Sequence, residues 1–362
     1  MPSPSEYTAA LAALPGAGSA RLARLLASDH AEAAWGRVAS GTVSCEVAPA
    51  TVRDSWREAA VDTDFEQIAN VLRSEGVVAT TWHDAAHPPQ FVRDLDPAPI
   101  AFRQGHQPDP AAPHVAIVGT RRASAIGREI ARELGAGLAA AGVVVVSGLA
   151  LGIDGAAHHG AVLAKGVGPI AVVGSGCDVP YPAANRTLWR NVAECGAVLS
   201  EAPMGARPEP WRFPARNRLI VALADLVVVV ESRSAGGSLL TVDQAIRRGV
   251  DVMAVPGSLR NGAAAGTNQL LADGCAPVLQ VDDVFAALGL DQAAQAQRRE
   301  AHGTANFEGD VSTVLDAIDD GPTSIEELIE RSGVDAGEIY AHLARLELAG
   351  AIVHDGARVR RA

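Results

Sequence analysis

Lysine is almost missing from this chain: of 30 basic residues, Lys165 is the only lysine and the others are arginine. With abundant alanine and glycine, this reads as genomic base composition rather than function. The four cysteines (Cys45, Cys177, Cys195 and Cys275) are scattered and form no Cys-x-x-Cys pair. That removes the case for zinc or a disulfide framework and fits a reducing, cytoplasmic location. No apolar run approaches the roughly 20 residues of a membrane-spanning helix, so no membrane role is expected. The first residues carry Glu6 and no basic stretch, which argues against a secretory leader. No Walker A sequence occurs. The dinucleotide fingerprint fails because Val179 stands where its third glycine belongs, which disfavours NAD or ATP in their usual modes and leaves no cofactor expected.

What is present is a large apolar fraction, 48% of 362 residues, enough for a sizeable core in two or three domains. The net charge of −12 argues against attraction of the whole molecule to DNA. Its distribution argues otherwise. Residues 114–281 hold 15 basic and 12 acidic residues, a balance of +3, against −15 for the remaining segments. A mildly basic middle between acidic flanks points to a local anion site.

The pattern along the chain predicts four parts. Residues 1–75 read as short helices. Their turn Pro15-Gly16-Ala17-Gly18 resembles a SAM/helix-hairpin-helix element, although the acidic surroundings favour a packing hairpin over a phosphate contact. Residues 76–288 form the core, with a lead-in of loops and one short strand over 80–113. Apolar runs at 115–118, 143–147, 170–173, 197–200, 226–230, 251–255 and 277–280 then alternate with helical segments. That alternation predicts an α/β fold with a Rossmann-like, doubly wound parallel sheet. Residues 289–309 read as a polar linker. Residues 310–362 read as three helices and a hairpin turning at Asp355-Gly356, a winged helix.

In an open parallel sheet, ligands bind beyond the carboxyl ends of the strands. Here those exits are Gly119-Thr120-Arg121-Arg122, the loop from Ser147 to Asp154, the loop from Gly174 to Pro182, and the run from Glu231 to Thr241. Glycine lets backbone approach a ligand, serine and threonine add hydroxyls, and Arg121 offers a clamp for a phosphate oxygen. The most specific segment is Trp211-Arg212-Phe213-Pro214-Ala215-Arg216-Asn217-Arg218. Arginines interleaved with aromatics are the means by which proteins hold single strands, cations on the backbone and rings on the bases. Aromatics make up only 4% of the chain, so two beside these arginines carry weight. The competing reading makes Trp211 and Phe213 core anchors and the arginines surface ion pairs.

A catalytic set is missing. Asp154, His158, His159, Asp178 and Asp243 form no Ser/His/Asp arrangement, and adjacent histidines on a helix diverge by about 100°. Asp154 reads as the N-cap of the helix that follows it. The C-terminal unit, with ten acidic residues against five arginines from Val311 onward, offers little to a duplex. Arg358, Arg360 and Arg361 on its wing leave only a weak duplex contact open.

The motifs VAIVGTRRASAIG, VVSGLALGIDGAAHHGA, IAVVGSGCDVPYP, LSEAPMG, FPARNRLIVALADLVVVVE, GGSLLT, AVPGS and GTNQLLADG stand in one order. In that order the chain resembles the DNA-processing protein A family (DprA, also called Smf). The resemblance implies a cytoplasmic homodimer of natural transformation that binds and protects single-stranded DNA and helps load the RecA recombinase, with single-strand-binding protein a further partner, and does no chemistry. It implies that Arg121 lies in the phosphate pocket and that Phe213, Arg216, Asn217 and Arg218 line the strand site, to which the residues themselves add Gly119 of the first loop and Arg212 of the arginine–aromatic run. It further implies that Ser147, Gly148, Gly174, Ser175, Gly176, Gly237 and Ser238 supply loop donors, with Lys165 beyond the second strand as a further contact. One departure is the run SRSAGGS, where the family has Ser-Gly-Ser. Two other classes stay open: a Rossmann-like nucleotide hydrolase, for which the Gly-Gly-x-Gly-Thr-x-x-Glu motif is incomplete, and a winged-helix transcription regulator.

Overall fold

The computed structural model describes residues 1–290, 310–318, 323–348, 352–355 and 358–361, in two compact units, Met1–Ala296 and Gln297–Ala362. The first unit opens with five helices: α1 (Pro4–Ala13), α2 (Ser19–Leu25), α3 (Ala31–Ser40), α4 (Ala50–Val61) and α5 (Phe65–Ser74). Ser3 and Glu6 cap α1 reciprocally, which satisfies two amides that the first turn leaves unpaired. Trp56, fully buried, donates its indole N–H to the Pro15 carbonyl at 2.8 Å and pins the α1–α2 turn. Leu11, Leu25 and Trp56 belong to one apolar cluster with Ile100, Phe102 and Val198 of the sheet. The change from helices to strands falls between Ser74 and Val77, and packing runs on across it.

The sheet follows with β1 (Val77–Thr81), α6 (Pro89–Arg93), β2 (Ile100–Gly105), β3 (His114–Val118), α7 (Ala125–Ala140), β4 (Val144–Ser147), α8 (Ile153–Leu163), β5 (Ile170–Val172), α9 (Arg186–Cys195) and β6 (Ala197–Ser200). It ends with α10 (Arg212–Leu223), β7 (Leu226–Val229), α11 (Leu239–Arg248), β8 (Asp251–Ala254), α12 (Ala265–Ala272), β9 (Ala276–Pro277) and α13 (Val281–Ala287). The spatial order is β1-β2-β6-β5-β4-β3-β7-β8-β9. From β6 to β9 every pairing is parallel, and β3 to β7 are buried along their whole length. Double coverage by helices is why these strands read as unbroken Val/Ile/Leu/Ala runs.

Two features differ from the sequence expectation. The lead-in contains two strands, β1 and β2, and both pair antiparallel, β2 on β6, so the sheet is mixed rather than purely parallel. The run expected at 277–280 is a strand only as far as Pro277. Gln280 is already the N-cap of α13 in a reciprocal box with Asp283.

In the second unit, α14 (Asp310–Asp316), β10 (Thr323–Ser324), α15 (Ile325–Ser332), α16 (Ala336–Leu348), β11 (Ile352–Asp355) and β12 (Arg358–Arg361) form three helices and a sheet ordered β10-β12-β11. Val314, Leu328, Ile339, Leu346 and Val359 are its core. This is the winged helix expected. The 289–309 linker, apart from its first two residues, and Gly356 of the wing turn lie outside the described residues. Among the described residues, no helix is long and apolar enough to cross a membrane.

Candidate functional site

The chain leaves β3 in one direction through β4, β5 and β6, then returns to the other side of β3 as β7. The strand exits around this reversal form the crevice in which doubly wound sheets hold ligands. Helix α10 packs against β3, β4 and β5 and brings the Trp211–Arg218 run to those exits. Helical spacing sorts that run. Arg216, Ile220 and Leu223 share the buried face, one turn apart.

Arg216 is therefore a core arginine, only 5% exposed. Its Nη1 donates to the Val172 carbonyl at the end of β5, and its Nε has no hydrogen-bond partner. Burial pulls its pKa down to about 10, with Asp154 working against that fall and Arg121 adding to it. It remains a cation at neutral pH. Asp154 is buried in the first turn of α8; burial raises its carboxyl, and Arg216, Arg121 and the backbone at Ala150 and Gly148 work the other way. Asp154 is thus not the N-cap expected. That position belongs to Gly152, whose φ of +82° and contact with the Thr120 carbonyl leave no room for a side chain. A Cβ at Gly148 would likewise collide with the Arg216 guanidinium.

Above this buried pair, Arg121 is exposed and its guanidinium lies 4.7 Å from the centroid of the Phe213 ring. Tyr181, 42% exposed, lies 5.6 Å from the same ring. Arg212 stacks on Trp211 at 4.6 Å, and Trp211 is 61% exposed. Phe213 is half-buried and Trp211 is on the surface, so neither ring is a core anchor. The result is a shelf of aromatic faces and guanidinium groups over a buried cation. Asn217, beside it on α10, is half-buried.

Several expected donors are spent inside the fold. The hydroxyl of Ser147 donates to the Ile117 carbonyl at 2.5 Å, that of Ser175 to the Val179 carbonyl at 2.7 Å, and that of Ser238 to Ser232 at 2.8 Å. Buried hydroxyls need partners, and these find them internally. The Gly176 amide donates to the Ala206 carbonyl at 3.0 Å. Gly119 and Gly174 lie at the strand exits, and Gly237 is exposed in the loop before α11. The start of α7 is also filled. Buried Glu231 accepts from the Ser124 amide at 2.8 Å, the Ser124 hydroxyl at 2.6 Å and Asn261 at 3.0 Å. A carboxylate of the protein itself thus occupies the helix end that the sequence offered to a phosphate.

Arg218 and Lys165 leave the predicted set. Arg218 pairs with Glu201, donates to the Asp96 carbonyl at 2.6 Å and lies 4.0 Å from Asp94. Its charge is neutralised within the protein. Lys165 is exposed in the turn between α8 and β5, at the amino-terminal edge of the parallel strands and so across the sheet from the exits.

Sequence reasoning missed Asn185. Its side-chain amide donates to the carbonyls of Leu149 and Ala150 at 2.9 and 3.1 Å. It so holds the loop after β4, where Leu149 has a left-handed φ of +52°. Tyr181 sits in a loop already singled out, but the chain gives no sign that it meets Phe213. Among the described residues, no group of three or more His, Cys, Asp or Glu is placed to hold a metal.

Fold and site together define a doubly wound α/β protein that presents arginine and aromatic groups at its strand exits and carries a winged-helix unit. The chain belongs to the DNA recombination-mediator protein A family, whose pattern it matches over residues 78–289. Residues 300–356 match the DprA winged helix domain. A Mycobacterium tuberculosis protein named for the same family is 37% identical over 267 residues, 73% of this chain and 66% of that protein. The X-ray structure of DNA processing protein A from Streptococcus pneumoniae superposes with a TM-score of 0.65 at 29% identity, covering 79% of this chain and 98% of that one. The DNA processing protein A from Helicobacter pylori gives a TM-score of 0.53 at 29% identity, covering 58% and 95%; that structure is described by its single-stranded DNA binding mode. Membership carries a DNA-processing, recombination-related role.

Proposed function

We propose that this protein is a single-stranded DNA-binding recombination mediator that works without catalysis. The observation that carries the reading is the Arg121–Phe213–Tyr181 shelf above buried Arg216. Guanidinium groups take the phosphates, and ring faces take bases of any identity. The Helicobacter pylori relative, described as a single-strand binder, supports the same ligand for this chain. The finer role is natural transformation. The protein, as a cytoplasmic homodimer, protects incoming single strands and passes them to the RecA recombinase, with single-strand-binding protein as a further partner. A non-catalytic role agrees with the burial of two titratable groups beneath the shelf: Asp154 is buried with the charge of Arg216 nearby, and His158 meets the Ile170 carbonyl, rather than being offered to a substrate.

The test is binding of a fluorescent oligo-dT and the matching duplex across a salt series, to wild type and Arg121→Ala. The expected result is single-strand preference, affinity that falls steeply with salt, and a loss of at least about tenfold in Arg121→Ala, within the range expected for one stacked or phosphate contact. Equal binding of both DNA forms, or an unchanged Arg121→Ala, overturns the reading.

A further inference from the structure

In doubly wound proteins that bind nucleotides, the turn after the strand at the reversal leads into a helix whose first amides hold the pyrophosphate. Here that turn joins β3 to α7, a helix of 16 residues. An anion of the chain itself stands at its start. Glu231, at the exit of β7 and only 6% exposed, accepts from the Ser124 amide and hydroxyl, and Asn261 adds a third hydrogen bond from the loop before α12. The Gly127 amide is spent on the Ser124 hydroxyl at 2.9 Å. A Cβ at Gly127 would collide with the Glu231 carboxylate, so the helix has a glycine where the carboxylate lies against it. Among the described residues, the partners of this carboxylate are those N–H and O–H groups, with no cation among them. A helix end holds a phosphate by the same means. The backbone that carries Glu231 is held as well: the Thr120 amide donates to the Glu231 carbonyl at 2.7 Å, and the Gly266 amide to the Ser232 carbonyl at 2.6 Å.

A carboxylate fixed in that place acts on a phosphate in two ways. It fills the room beside the amides, and it repels a second negative charge, most strongly where water is excluded. On the other side of the turn, Arg121 is exposed over Phe213. We propose that Glu231 is a specificity-determining residue: its carboxylate takes the place of a nucleotide's pyrophosphate at α7, so that the crevice turns away free nucleotides and leaves the arginine shelf as the way in for a strand. The first βα turn agrees, since between Gly119 and Ser124 it carries Arg121 and Arg122 rather than the further glycines of a dinucleotide-binding loop. The exclusion of free nucleotides stands on Glu231 alone, and only the part played by the shelf rests on the strand-binding reading.

The experiment uses the full-length protein, with thymidine diphosphate, thymidine and inorganic pyrophosphate as probes. Calorimetry compares Arg121→Ala, in which the shelf is disabled, with Arg121→Ala/Glu231→Ala. The double variant is expected to bind thymidine diphosphate at least about tenfold more tightly, the scale of one charge-assisted hydrogen bond, and thymidine no better. No gain, or an equal gain for thymidine, overturns the proposal. Glu231→Gln keeps the space filled and removes the charge, so in the same background it should gain less than Glu231→Ala; an equal gain overturns the claim that the carboxylate stands in the phosphate's place. Losing three hydrogen bonds should lower the melting temperature of Glu231→Ala. Pyrophosphate, against chloride at equal ionic strength, should raise it saturably and by more than it raises wild type. That measurement serves a variant too unstable for calorimetry, and a rise no larger than that of wild type overturns the proposal. Oligo-dT anisotropy on wild type and Arg121→Ala tests the strand site separately: unchanged binding in Arg121→Ala overturns that reading and leaves the Glu231 result standing.

Discussion

Two arginines that look equivalent in the sequence do different work. Arg121 is exposed and makes no ion pair among the described residues, whereas Arg216 is buried and faced by Asp154. Removing an exposed cation changes ligand affinity and little else. Removing a buried guanidinium leaves empty space and takes the donor from the Val172 carbonyl, both of which destabilise the fold, and Asp154 loses a nearby opposite charge. Arg121→Ala is therefore expected to lose oligo-dT affinity with its melting temperature nearly unchanged. Arg216→Ala is expected to lose affinity and stability together. In Asp154→Asn/Arg216→Gln the orphaned carboxylate is gone, so most of the stability should return while DNA binding does not. Denaturant unfolding of the three variants alongside anisotropy checks this. A double variant as unstable as Arg216→Ala would show that Asp154 does not face that arginine in a way that matters.

At the scale of elements, the loop from β4 to α8 is held from outside itself. Leu149 keeps a left-handed φ because Asn185, ahead of α9, donates to the carbonyls of Leu149 and Ala150. Such backbone persists only where its surroundings over-determine it. Asn185→Ala is expected to cost roughly 1–2 kcal/mol, the scale of two lost hydrogen bonds, and to weaken oligo-dT binding because Gly148 packs on Arg216. Affinity equal to wild type would separate this loop from the site. The parallel strands were legible because burial on both faces leaves an unbroken apolar run in each. β1 and β2 were not: β1 is an edge strand, the two are joined by a Pro-rich connection that carries α6, and the inner partner that orders β2 is β6, far along the chain. The same division holds in the site. Arg121, Phe213 and Arg216 were legible as types in motifs. Their stacking, the inward hydroxyls of Ser147, Ser175 and Ser238, and the capture of Arg218 by Glu201 and Asp94 depend on contacts between distant segments, which no local pattern records. Helical periodicity could have separated Arg216 from Arg218, since only the former aligns with Ile220 and Leu223.

Across the whole molecule, among the described residues, burial lowers the pKa of His87, His114 and His158, and His87 and His158 are lowered furthest. His87 is held between the Thr80 hydroxyl at 3.1 Å and the Ala98 carbonyl at 2.9 Å. His158 reaches the Ile170 carbonyl at 3.2 Å and has Arg216 nearby. Burial, which outweighs the carbonyls that favour the charged form, lowers both from 6.5 to about 4. The unfolded chain takes up protons below pH 6.5, and the folded chain does not until about pH 4. Their contribution is complete above pH 6.5 and lost as pH falls through that window, by roughly 3 kcal/mol for each histidine. Buried carboxyls act in the opposite sense. Asp154 and Glu201 are raised by burial, so their protonated forms favour the fold as pH falls. A pH series on wild type alone would mix the two effects, whereas the difference from a double variant isolates the histidines. Urea midpoints at pH 7, 5.5 and 4.5 are expected to fall more steeply in wild type than in His87→Gln/His158→Gln, even if the variant starts lower. Parallel slopes would mean that these side chains titrate normally and that neither is sealed in the core. Because His158 and Arg216 share one buried region, oligo-dT affinity should hold down to the pH at which unfolding begins and then fail together with the fold. An earlier loss would place the titrating group in the site itself.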